Sequence, residues 1–154
     1  MAYRQRRHIE FSTLDYFTTV INQDWNDITV VKSFLDAYKS PLPVICISLI
    51  EPDSKRLQLG SNTLLTDYTI VFEIFATSNG QRLDLSEYLL DKIKDGWVYN
   101  TYILGSANTL EETAAGRVNM LTIIEDTAID FSEDVDKYDK YRWVIKVKVR
   151  VGKT

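Results

Sequence analysis

A single α+β domain, with a mostly antiparallel or mixed β-sheet and helices packed mainly on one face, is the fold class that three observations predict. Apolar residues recur every three or four positions in two early stretches and one central stretch, as on amphipathic helices. Residues 68–76 and 143–151 instead alternate with period two, the spacing of strands. The resulting order is helix, helix, strand, strand, helix, then a strand pair, which lacks the regular strand–helix alternation of a parallel sheet. At 154 residues, 45% hydrophobic and 26% charged, the chain suits one domain spanning 1–154, with no dividing linker and no internal repeat.

The first ten residues read as a basic arm, flexible or docking, that carries Arg4, Arg6 and Arg7. A helix is predicted from Ser12, with Leu14, Phe17 and Ile21 in step, Ser12 or Thr13 as its cap, and Asp15 near its positive end. A second helix is predicted over 27–38, striped by Val31, Phe34, Leu35 and Tyr38 and stopped by Pro41 and Pro43. The β-branched run 44–50 reads as a strand buried on both faces, and 51–66 as a loop or a loosely paired excursion. In 68–76, Tyr68, Ile70, Phe72 and Ile74 share one face, and Thr69, Val71, Glu73 and Phe75 the other. Ser78-Asn79-Gly80 supplies a turn before a third helix over 84–95, capped by Asp84 or Ser86 and ended by Gly96.

Residues 97–104 read as extended, and 105–116 as a long loop with a helical turn near 110–114. The remainder forms a hairpin: a strand over 118–131, a charged connection over 132–140, and a strong strand over 143–151. In that last strand Trp143, Ile145, Val147, Val149 and Val151 face one way, while Val144, Lys146, Lys148 and Arg150 face the other. Trp143 is expected in the core, with Tyr99 and Tyr102 as candidates for an interface.

The residues of common catalytic sites do not assemble. The one histidine, His8, lies in the basic arm, and the one cysteine, Cys46, in a strand centre, which argues against a triad, a Cys–His nucleophile or a His-rich zinc site. A lone thiol fits a reducing compartment. The six glycines are dispersed and form no phosphate loop. Carboxylates remain: Glu125, Asp126 and Asp130, then Glu133, Asp134, Asp136 and Asp139. Clustered oxygens suit a calcium or magnesium ion, but this spacing lacks the turn glycine and the terminal Glu of a calcium loop. Lys137 and Lys140 also neutralise it, so a solvated hairpin loop is the expectation, with no metal, cofactor or catalytic residue. A small carboxylate-based enzyme stays as a distant alternative.

Net charge is −4, which disfavours duplex DNA binding, and no apolar run approaches the ~18 residues that span a bilayer. The stripe Lys146, Lys148, Arg150 has two readings. Lysines on an exposed sheet discourage unwanted pairing; together they could also form a positive surface for an acidic partner or for passing DNA. The arm carrying Arg4, Arg6 and Arg7 could dock in trans on the acidic loop that holds Glu133, Asp134, Asp136 and Asp139.

One stretch resembles a known family. Leu42-Pro43-Val44-Ile45-Cys46-Ile47, then a loop with Leu59-Gly60, then Asp67-Tyr68-Thr69-Ile70-Val71-Phe72-Glu73-Ile74-Phe75-Ala76, then Arg82-Leu83-Asp84-Leu85-Ser86-Glu87 entering a helix, is similar to tailed-phage head-to-tail joining proteins. The pattern is nearest to tail terminator, or tail-completion, proteins. The likeness covers about residues 27–95, with the C-terminal hairpin in outline, and rests on layout without a diagnostic motif. It implies a virion protein made in the host cytoplasm: a homo-oligomeric ring, commonly a hexamer. That ring would cap the tail tube protein, dock to the head connector or neck proteins, and leave a channel for DNA. Its implied partners include no membrane and its implied function no catalysis. Another tail component, a tube or baseplate subunit, is the alternative.

Overall fold

The computed structural model describes residues 4–56, 64–105, 107, 109–130 and 136–153. Its elements are α1 (Gln5–Asp24), β1 (Thr29–Val31), α2 (Phe34–Lys39), β2 (Val44–Arg56), β3 (Leu64–Phe75), α3 (Asn79–Lys94), β4 (Trp97–Leu104), β5 (Leu110–Ile129), α4 (Lys137–Lys140) and β6 (Arg142–Lys153). The six strands form one mixed sheet in the order β1-β2-β3-β6-β5-β4. The β1–β2 pairing is parallel and the other four are antiparallel. The two long helices, α1 and α3, lie on one face, and the short α2 and α4 cover one end of the other. The α+β class and the one-sided helix packing are as the sequence predicts.

Period-two alternation in β2, β3 and β6 sends one set of residues under the long helices: Ile45 and Ile47, Tyr68 to Ile74 in alternate positions, and Ile145, Val147 and Val149. Against this floor α1 presents Ile9, Phe17 and Ile21, and α3 presents Leu85, Leu89 and Ile93, all fully buried. Phe17 is the hub. Its ring meets Phe72 at 4.8 Å and Trp97 at 5.0 Å, both edge-on, the arrangement that aromatic quadrupoles favour.

Helix α1 begins at Gln5, so the basic segment is helical from that point and no longer reads as a free arm. The reason is burial. Ile9 continues the Phe17–Ile21 stripe two turns upstream, and Ser12 and Thr13, expected as caps, fall mid-helix and buried. These polar residues zip α1 to β4. Ser12 Oγ accepts from the Asn100 N–H at 2.9 Å and lies 3.2 Å from the Asn100 carbonyl; His8 Nδ1 accepts from the Tyr102 N–H at 3.1 Å. Thr13 Oγ1 donates to the Ile9 carbonyl and accepts from Trp97 Nε1. β4 is the last strand of the sheet, and α1 supplies partners that another strand would otherwise supply. The same helix reaches β1 and β2 on its other flank, so the sheet curls around it.

Other boundaries shift for physical reasons. The predicted second helix divides, because the β-branched run ending in Val31 pairs with β2 and only 34–39 is helical, capped by Ser33. Its apolar stripe is left largely uncovered, with Leu35 72% exposed. α3 starts five residues early because the Ser78 hydroxyl accepts from the Gln81 N–H. Gly96 adopts φ +71°, and a β-carbon there would strike the Val118 carbonyl oxygen, so this glycine sets the α3–β4 turn. Residues 110–116, read as loop, are strand: β5 pairs with β4 through its first half and with β6 through its second. The excursion after residue 50 pairs with β3 beyond an irregularity at Ile50/Asp53. Trp143 is half-buried at the core margin, its Nε1 donating to Asp126, and Trp97 takes the central place.

Two measurements test this packing. Phe17→Ala is expected to cost about 3–5 kcal/mol in chemical denaturation, while Leu35→Ala stays within about 0.5 kcal/mol. Burial, reinforced by nearby Glu73, pushes the Cys46 thiol up to about 11. A thiol reagent at pH 8 should therefore leave native protein unmodified and titrate one thiol in denaturant.

Candidate interaction surface

The face opposite α1 and α3 carries the basic stripe, and acids of other strands meet each of its charges. Lys146 sits cross-strand from Glu125, with Nζ 3.6 Å from its carboxylate. Lys148 lies 4.0 Å from Asp53 on β2. Arg150 donates from Nε at 2.8 Å and from a terminal nitrogen at 3.2 Å to Asp67, whose side chain is 6% exposed. At the stripe's foot Arg142 grips Glu73 and, at 3.2 Å, Asp139. Strand order explains this: β6 is central, so its outward cations stand between acids of β3 and β5, with Asp53 of β2 one strand further. The stripe thus joins strands by ion pairs between β6 and acids of other strands.

The acidic loop also turns inward where it is described. Asp139 accepts from the Tyr38 hydroxyl at 2.6 Å as well as pairing with Arg142. Burial first, then that hydrogen bond, pushes the Tyr38 phenol up to about 12. Asp136 caps α4 by accepting from the Tyr138 N–H. Glu133 and Asp134 lie outside the described residues. The other acids are engaged separately, Glu125 with Lys146, Asp126 with Trp143 and Asp130 with Arg82. No cluster of three or more His, Cys, Asp or Glu among the described residues could hold a metal ion. Arg6 and Arg7 are exposed on the first turn of α1, and Arg4 is exposed at its N-cap. Tyr99 and Tyr102 are buried under α1, at 2% and 7% exposure, and so are not surface anchors; His8 stacks on Tyr102 at 6.1 Å.

What the sequence reading missed is an arm. β5 is twenty residues long, and β6 reaches only to its Gly116. Ahead of that point it pairs with β4 alone, so the β4–β5 hairpin runs on past the end of β6. It closes through a Gly105 N–H to Thr109 carbonyl bond of 2.8 Å. Its tip exposes Ile103 (53%), Leu104 (70%) and Leu110 (59%). Leu104 stands opposite Leu110, and Ile103 opposite Glu111, a cross-strand pattern that a hairpin reading of 97–118 would have predicted. A shallow basin of about 520 Å³ lies on the other side of α1, between that helix, β1 and α2. A groove of about 320 Å³ crosses the charged face beside Phe34, Val71 and Val144.

Removing one partner of the best-buried pair should cost most. Arg142→Ala, which strands Glu73, is expected to lose about 3 kcal/mol, and Lys148→Ala less than about 1 kcal/mol, by urea denaturation. No family model matches the chain, and no curated protein matches it.

Proposed function

We propose that this chain is a structural subunit of the tailed-phage head-to-tail junction. In this reading copies form a ring, commonly six-fold, that caps the finished tail tube, docks to the head connector and leaves a channel for DNA. The observation that carries the ring is the projecting β4–β5 arm, whose apolar tip nothing in its own chain covers among the described residues. Exposed apolar surface of this kind marks a protein contact. The layout of 42–87 supports the family: the strand β2, the long alternating strand β3 and the helix α3 follow one another in the order the resemblance requires, while Leu59-Gly60 lie outside the described residues.

A ring needs one surface to complement a different one. The basic stripe on β6 is engaged within the chain, so that role falls to other groups. Arg4, Arg6 and Arg7, exposed at the start of α1, suit a channel that meets DNA through phosphates without reading sequence.

Size exclusion with light scattering, at low and high salt, tests the reading, with negative-stain images of the same fractions. A discrete closed ring that loosens with salt is expected. Open stacks would favour a tube or baseplate subunit instead. A strict monomer at every concentration would remove the ring and return weight to a carboxylate enzyme.

A further inference from the structure

We infer that the β4–β5 arm of one copy docks in the basin beside α2 of a second copy. The inference rests on the ring reading for closure of the assembly, but the contact itself is argued from charge and shape.

The arm tip is apolar and acidic on both faces. Leu104, Leu110 and Glu112 share one face of the hairpin, and Ile103 and Glu111 the other. The basin matches it. Leu14, Val30 and Val31 form its apolar lining, and Lys32 and Lys39 outnumber Asp36 among its charged groups. Among the described residues, Glu111, Glu112, Lys32 and Lys39 make no ion pair, in contrast to the cations of β6. All four are exposed.

Arm and basin cannot meet within one chain. His8 and Ser12 of α1 hold β4, whereas Leu14 and Thr18 line the basin, and positions 12 and 14 are about 200° apart on a helix. The arm is therefore on one flank of α1 and the basin on the other, at opposite ends of the sheet order. Two different surfaces that complement each other make a heterologous contact, which propagates from copy to copy and closes when the rotation allows.

Plain edge-to-edge strand pairing is a poorer route. The outer edge of β5 below Val118 carries irregularities at Met120/Thr122 and Ile123/Glu125, and Pro52 interrupts β2 where β1 no longer covers it. Bulges and prolines blunt such edges.

Charge reversal tests the docking. Two full-length variants are made, an arm variant, Glu111→Lys with Glu112→Lys, and a basin variant, Lys32→Glu with Lys39→Glu. Circular dichroism confirms the fold, and light scattering follows mass against concentration. Wild type is expected to assemble, and each variant alone to need at least about tenfold more protein, because like charges then face each other. A 1:1 mixture should regain wild-type assembly, since each variant's altered surface meets its complement and its unaltered surfaces do too. The docking is overturned by a wild type that stays monomeric, by variants that assemble like wild type, or by two defective variants whose mixture stays defective. Electron micrographs separate this from the broader reading. Rings that persist in both variants sink the docking and keep the ring, while salt-sensitive open strings rescued in the mixture keep the docking and sink the ring.

Discussion

The structure depends on α1 filling the concave side of a six-stranded sheet. A sheet with one apolar face must cover it, and here the cover comes chiefly from a single helix that touches strands near both ends of the sheet order. Ile9, Phe17 and Ile21 bury one stripe, and the Phe17–Phe72–Trp97 cluster ties helix, central strand and last strand at one point. The polar members His8, Ser12 and Thr13 matter as much as the apolar ones. They satisfy main-chain groups of β4 and the Trp97 indole, so the last strand ends against a helix and not against water. Buried polar groups cost little only when paired, and these are paired across a sequence separation of more than eighty residues.

The opposite face is organised by charge. β6 occupies the middle of the sheet, and its cations are flanked by Glu73, Asp67 and Glu125 on adjacent strands, with Asp53 one strand further. Such pairs contribute modestly when wet and more at Arg142, where both partners are nearly covered. Alternating sign across strands also fixes register, because a one-residue slip would send the cations of β6 into the apolar face. The Tyr38–Asp139–Arg142–Glu73 chain extends this device to α2 and α4, fastening both short helices to the sheet end.

Two of the surfaces left over are dissimilar: an apolar, acidic arm on one flank of α1 and an apolar basin with two lysines on the other. In the proposed docking such a pair would join copies head to tail, which is the kind of contact a ring would need.

The amino-acid pattern alone determined the fold class, the strands at 44–50, 68–76 and 143–151, and which residues share a face in the last two, because period two and β-branching are local properties that burial then enforces. It also identified the lone Cys46 as a strand residue. Pairing was decided by the tertiary structure. Residues 110–116 are polar and small, and they become strand only because β4 lies alongside. The start of α1 carries three arginines and no cap, and is held as helix because Ile9 and His8 are covered by the sheet. The stripe of Lys146, Lys148 and Arg150 had two readings, protection against unwanted pairing or a positive surface, since sequence gives the side on which a residue points but not the charges of strands far away in the chain. Only strand order brought Asp67, Glu125 and Asp53 beside it.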